Sequence, residues 1–195
     1  MRKKRFPLSA HQISSRPDFF IVIDVETSGP NPTNYAMLSI GACTMTNPRQ
    51  TFYVELKPEQ QNFTAEAMKI SDLSLERLKK EGEEPKDAML AFEKWLLEVV
   101  PPNHRAVFTA FNAPFDWMFV ADYFFRYLNR NPFGHKALDI KAWYMGFKNT
   151  SWEDTSFKAI VEAEGFPSKL SHHALDDAIQ TANLFQFLLD QNRRN

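Results

Sequence analysis

The segment that most constrains this chain is Phe19-Phe20-Ile21-Val22-Ile23-Asp24-Val25-Glu26-Thr27-Ser28-Gly29. Its continuous apolar run, Phe19–Ile23, reads as a central, buried strand. The strand runs out of apolar residues and ends on two acids. Successive side chains on a strand alternate faces, so Asp24 and Glu26 project to the same side at its carboxyl end. Two like charges held that close repel, and they call for a cation or a proton between them. In an α/β sheet the carboxyl edge is also where ligands bind.

At 195 residues the chain is expected to form one domain that buries roughly two thirds of its surface on folding. With 44% hydrophobic and 24% charged residues the composition is that of a globular protein, and no apolar run approaches the length of about 20 residues needed to span a bilayer. The single Cys43 lies in the apolar stretch Met37–Cys43, which excludes an intramolecular disulfide and an all-cysteine zinc site. It fits a core position in a reducing, cytoplasmic compartment. A formal net charge of -1 means that nucleic-acid binding would need a local basic patch or a metal. Residues 1–17, opening on Met1-Arg2-Lys3-Lys4-Arg5-Phe6, read as a solvated basic tail, since no signal-peptide core follows. Residues 18–190 read as the domain and 191–195 as a second tail.

Two more strands are expected over Met37–Met45 and Thr51–Leu56, joined by a turn at Asn47-Pro48-Arg49-Gln50. Pro85–Val99 places Ala88, Ala91, Phe92, Trp95 and Leu96 on one helical stripe. A strand over Arg105–Phe111 leads through Ala113-Pro114 into another helix, and Asp154–Glu164 and Ala174–Leu189 supply two more, separated by Gly165-Phe166-Pro167. The order of elements predicts an α/β domain, a mixed sheet flanked by helices.

A third acid, Asp116, stands in Phe111-Asn112-Ala113-Pro114-Phe115-Asp116, where a strand gives way to a helix. Asn112 suits an N-cap, Pro114 the first turn, and an acid there is favoured by the helix dipole even without a function. Asp116 also shares a face with Phe119, Val120 and Tyr123, which should point inward. The fourth comes from Ser171-His172-His173-Ala174-Leu175-Asp176-Asp177. On a wheel of about 100° per residue, Asp177 falls beside Thr181, Leu184 and Leu188 at the border of the apolar face, whereas Asp176 lies among Gln180 and Asn183. The pattern nominates Asp177 as the buried acid. Four carboxylates from three separated segments suit Mg²⁺ or Mn²⁺ rather than zinc or copper, and two such ions about 4 Å apart can activate a water and stabilise the leaving oxygen of a phosphodiester.

The three ordered motifs, Asp24–Gly29, Asn112–Asp116, and His172 followed five residues later by Asp177, together resemble those of the DEDDh exonucleases of the ribonuclease H-like fold. The resemblance runs from Phe19 to the end of the last helix. It implies a metal-dependent 3′-to-5′ exonuclease acting on RNA or DNA, single-stranded for preference, and releasing nucleoside 5′-monophosphates. Asp24, Glu26, Asp116 and Asp177 would hold two divalent ions, Mg²⁺ or Mn²⁺, and His172 would act as general base. His173 lacks the family spacing to Asp177 and is left a structural or solvent-facing role. Thr27, Asn112 and Phe115 are implied substrate contacts. Within the family, Asn129-Arg130-Asn131-Pro132-Phe133 followed by Asp139 looks like ribonuclease T, with Asp139 supporting the site from nearby. Pro30, after the first motif's glycine, and Phe111, before Asn112, depart from that protein's pattern, so its substrate preference is not implied. The implied partner is a nucleic-acid 3′ end. The family also admits a homodimer, a proofreading role beside a DNA polymerase, and a non-catalytic binding module.

Overall fold

The computed structural model describes residues 16–193. Most of the expected amino-terminal tail and the last two residues lie outside the described residues. Five strands form one mixed sheet: β1 (Asp18–Thr27), β2 (Met37–Thr44), β3 (Thr51–Glu55), β4 (Arg105–Ala110) and β5 (Ala137–Asp139). They lie in the order β3-β2-β1-β4-β5. The β1–β2 and β2–β3 pairs are antiparallel, whereas β4 and β5 join in parallel register with β1. β1 is central, as its apolar run requires.

Among the described residues there are seven α-helices, α1 (Ala65–Ser71), α2 (Leu75–Glu81), α3 (Pro85–Val99), α4 (Ala113–Leu128), α5 (Ile140–Lys148), α6 (Phe157–Glu164) and α7 (Ala174–Asn192). None among the described residues is long and apolar enough to cross a membrane. Three differ from the sequence reading by being unanticipated. α1 and α2 are seven residues each, too short to display a helical period, and hold their first turns through the Thr64 and Ser74 hydroxyls, which accept from Ala67 N and Arg77 N. α5 buries only Ile140 and Tyr144. The segment expected as one helix from Asp154 divides into a 3-10 turn, Glu153–Thr155, and α6, which Ser156 caps. On α3 the buried stripe is Pro85, Ala88, Met89, Phe92, Leu96 and Val99. Ala91, assigned to that stripe from the sequence, is exposed.

The two faces of β1 have different partners. Ile21, Ile23 and Val25 join the main core with Phe92, Phe119 and Tyr123 of α3 and α4, while Val22 packs with Cys43 and Ala182 of α7. Period-two alternation therefore turns Asp24 and Glu26 toward the α7 side. What brings α7 down to them is Gly41. In the antiparallel register Gly41 sits between Asp24 on β1 and Tyr53 on β3. A Cβ at Gly41 would lie 2.1 Å from the backbone of Ala174 and Leu175. The amino-terminal turn of α7 thus rests directly on the strand backbone.

A methyl group at Gly41 would meet main chain, which cannot rotate away, so the cost belongs at the upper end of the 1–3 kcal/mol typical of overpacking. Gly41→Ala is expected to lower the unfolding temperature by several degrees, about 2–4 °C per kcal/mol at this size. Thermal unfolding checks this, and an unchanged midpoint would contradict the close approach.

Candidate active site

The four acids reach the site on three elements. Asp24 and Glu26 ride the end of β1. The parallel strand β4 ends at the same edge and delivers α4, whose first turn carries Asp116 inward at 4% exposure. Its Oδ1 accepts a hydrogen bond from Val25 N at 3.1 Å, which fixes the carboxylate between the two acids of β1. Asp177, 3% exposed, descends from α7, while its neighbour Asp176 is exposed. One carboxylate oxygen from each of Asp24, Glu26 and Asp177 lies within 4.8 Å of the others.

Electrostatics make this an unstable arrangement in isolation. Burial, then Asp116, Glu26 and Asp177, push the Asp24 carboxyl well above its ordinary range, although the residue keeps partial access to solvent. Burial, then Asp177 and Asp116, raise Glu26 to about 8. Burial likewise raises Asp116 to about 8, against the lowering effect of the Val25 N–H and with a further push from Asp139. Every charged neighbour that moves these three groups is another carboxylate. An all-oxygen donor set starved of positive charge fits a hard divalent cation.

The loop before α7 is tied to the same carboxylate. Asp177 Oδ1 accepts from Ser171 N (2.6 Å) and Ser171 Oγ (3.0 Å), and Oδ2 accepts from His172 N (3.0 Å). His172 is exposed and holds a left-handed φ of 62°. His173 is the N-cap residue of α7 but makes no side-chain cap bond.

The remaining candidates divide. Phe115 and Thr27 line a cavity of about 390 Å³ beside Glu26, closed by Pro30, Thr64, Ala67 and Ile70. Thr27 is buried, and its hydroxyl donates to Gly29 O at 2.9 Å. Asn112 precedes α4 as expected, but with φ 61° and no side-chain cap bond. The first amide of α4 instead donates to Asp139 Oδ1 at 3.2 Å, and the same oxygen accepts from Lys141 N at 3.1 Å. Asp139 thus joins the amino termini of α4 and α5 at the site's edge. The cavity wall from α1 was missed in the sequence, where the only signal was Thr64 as a cap.

A family model described as exonuclease matches residues 21–185. The chain is 44% identical over 171 residues to the 3′-5′ DNA exonuclease Cap18 of Escherichia coli, covering 88% of this chain and 91% of that one. It is 31% identical over 183 residues to ribonuclease T of Yersinia pseudotuberculosis, covering 88% and 84%. Among solved structures, the nuclease domain of 3′hExo, a DEDDh family member bound to rAMP, superposes with a TM-score of 0.74 at 15% identity, over 90% of this chain and 94% of that one. Escherichia coli exonuclease I in complex with a dT13 oligonucleotide gives 0.72 at 15% identity, over 91% and 42%. These structures share the ribonuclease H-like mixed sheet flanked by helices.

The raised carboxyls give a signed pH dependence. Glu26 favours its protonated form in the folded state, so the stability tied to that proton is fully present below its ordinary pKa near 4.5 and is lost as pH rises through about 8. Glu26→Gln should therefore gain in unfolding temperature relative to wild type as cation-free protein is taken from pH 5 to pH 8.5. Mg²⁺ at about a hundred times its dissociation constant should stabilise wild type by about 2.7 kcal/mol at pH 8, on the order of 5–10 °C for a domain this large. Thermal unfolding with EDTA or Mg²⁺ reads both.

Proposed function

The chain belongs to the exonuclease family and is a 3′-to-5′ exonuclease, and from that premise we propose how its residues divide the work. Asp24, Glu26, Asp116 and Asp177 hold two divalent cations, Mg²⁺ or Mn²⁺, and His172 is the general base. The observation that carries this reading is the convergence of carboxylate oxygens from β1 and α7, with Asp116 of α4 near enough to raise Asp24 and Glu26 and no cationic side chain among the groups that shift them. When bound, the cations supply the positive charge that makes a water acidic near neutral pH and offsets the charge developing on the leaving oxygen.

The chain's own residues supply the rest. The neutral imidazole of His172 accepts a proton from the attacking water. The water oxygen bonds to the terminal phosphorus, the bond to the 3′ oxygen of the penultimate nucleotide breaks, and that oxygen takes up a proton from solvent to become a 3′-hydroxyl. A nucleoside 5′-monophosphate leaves, and the imidazolium returns its proton to solvent. Phe115 offers an aromatic face to the terminal base, an interaction that tolerates any sequence. Thr27 borders the same cavity. The exposed Asn112, freed from capping by Asp139, is available to the sugar-phosphate. The substrate class is single-stranded DNA in preference to RNA, a choice supported by the higher identity to a DNA exonuclease than to ribonuclease T over similar spans.

The test is degradation of matched 5′-labelled single-stranded DNA and RNA with Mg²⁺, Mn²⁺ or EDTA. A metal-dependent ladder shortening from the 3′ end is expected, faster on DNA. Asp24→Ala should abolish both the ladder and the stabilisation by Mg²⁺. His172→Ala should lower kcat by about 10²–10⁴-fold, the range of general-base contributions, while keeping the Mg²⁺-dependent rise in unfolding temperature. An Asp24→Ala protein with wild-type cation response would overturn the ligand assignment.

A further inference from the structure

His173 occupies an N-cap position where Ser, Thr, Asp and Asn are preferred because their short side chains accept the helix's free amides. It performs no such service. Its Nδ1 is sealed from solvent without a hydrogen bond, 3.5 Å from Asp176 Oδ2. Its ring is instead stacked on Tyr53 of the edge strand β3, with centroids 4.6 Å apart and an interplanar angle of 30°. Tyr53 is fixed in turn. Its hydroxyl donates to Glu55 Oε1 at 3.0 Å, and Arg77 of α2 clasps both oxygens of Glu55 at 2.5 and 2.9 Å. The ring that His173 rests on is therefore locked by a bidentate ion pair on the far side of the sheet from β5.

Between this stack and Asp177 stands His172. A non-glycine residue is uncommon in the left-handed region, and the chain is held on both sides of His172. On the inner side Asp177 accepts from the amides of Ser171 and His172. On the outer side the next residue is the stacked histidine. Tyr53 lies in register with Gly41 and, through it, with Asp24. The platform is thus referenced to the same row of the sheet as the first metal-binding candidate.

We infer that Tyr53 is a positioning residue for the reaction: its ring, through the stack with His173, holds the loop that presents the His172 imidazole. Tyr53 touches neither substrate nor cation. The inference rests on His172 being the general base.

The experiment is single-turnover and steady-state cleavage of labelled single-stranded DNA by Tyr53→Leu, Tyr53→Phe, His172→Ala and the Tyr53→Leu/His172→Ala double variant. Leucine keeps apolar bulk on β3 so that the strand still packs, and thermal unfolding confirms it. Tyr53→Leu is expected to lower kcat about 10- to 100-fold, the scale of a misplaced catalytic group, with KM within about 3-fold and the Mg²⁺-dependent rise in unfolding temperature unchanged. Tyr53→Phe, which keeps the stacking ring but loses the hydroxyl's hold on Glu55, should recover part of the rate. In the His172→Ala background Tyr53→Leu should cost nothing further, because the group it positions is gone. A further loss in that background, or a Tyr53→Phe protein as slow as Tyr53→Leu, would overturn the positioning role while leaving the base in place. A His172→Ala protein at full rate would overturn the base assignment, and this inference with it.

Discussion

The site depends on a backbone contact. α7 can bring Asp177 over Asp24 only because residue 41 has no side chain, so that the carbonyl of Ala174 and the amide of Leu175 settle on the strand. Raising the helix by the thickness of a methyl group would separate Asp177 from the two acids of β1 and carry the 171–173 loop away with it. Farther along α7, Ala178 and Ala182 are also small and buried, before Leu184, Phe185 and Leu188 take over the buried face. Over the amino-terminal half of α7 the helix-to-sheet distance is set by the smallness of these side chains, and the placement of Asp177 is a consequence of it.

That closeness has an electrostatic cost carried in the fold. Burial raises Glu26 and Asp116 to about 8, and burial together with the neighbouring acids pushes Asp24 the same way, so the fold favours protonated carboxyls at these three positions. The acids are held together by covalent placement on rigid elements and by directed hydrogen bonds: Val25 N to Asp116, and Ser171 and His172 to Asp177. A site whose ligands sit on strand and helix termini needs little reorganisation when charge is neutralised, and this preorganisation favours tight control of metal position.

The acids were legible in the sequence because each lies on a regular period. Asp24 and Glu26 follow from alternation along β1, and the separation of Asp177 from Asp176 follows from the helical wheel. Gly41 was not legible, since the requirement for glycine there arises between elements distant in sequence. The same reason explains the capping of α4: Asn112 is the local candidate, but β5 sets Asp139 beside Ala113 and takes over the bond. α1, α2 and β5 escaped notice because two turns or three residues carry too little pattern. Yet α1 supplies one wall of the cavity whose other wall, Thr27 and Phe115, was legible in the motifs.

Asp177 joins the acidic cluster and the 171–173 loop into one mechanical unit. A carboxylate oxygen committed to the cluster and a carboxylate that accepts from Ser171 and His172 belong to the same side chain. Any shift of α7 therefore moves the candidate base and a candidate metal ligand together, preserving their mutual geometry while changing their distance from Asp24 and Glu26. Gly41 governs that distance, and the Tyr53–His173 stack governs rotation of the loop about it. Translation and orientation of the reacting groups are thus set by two neighbouring residues of one register row, opposite each other on β2 and β3.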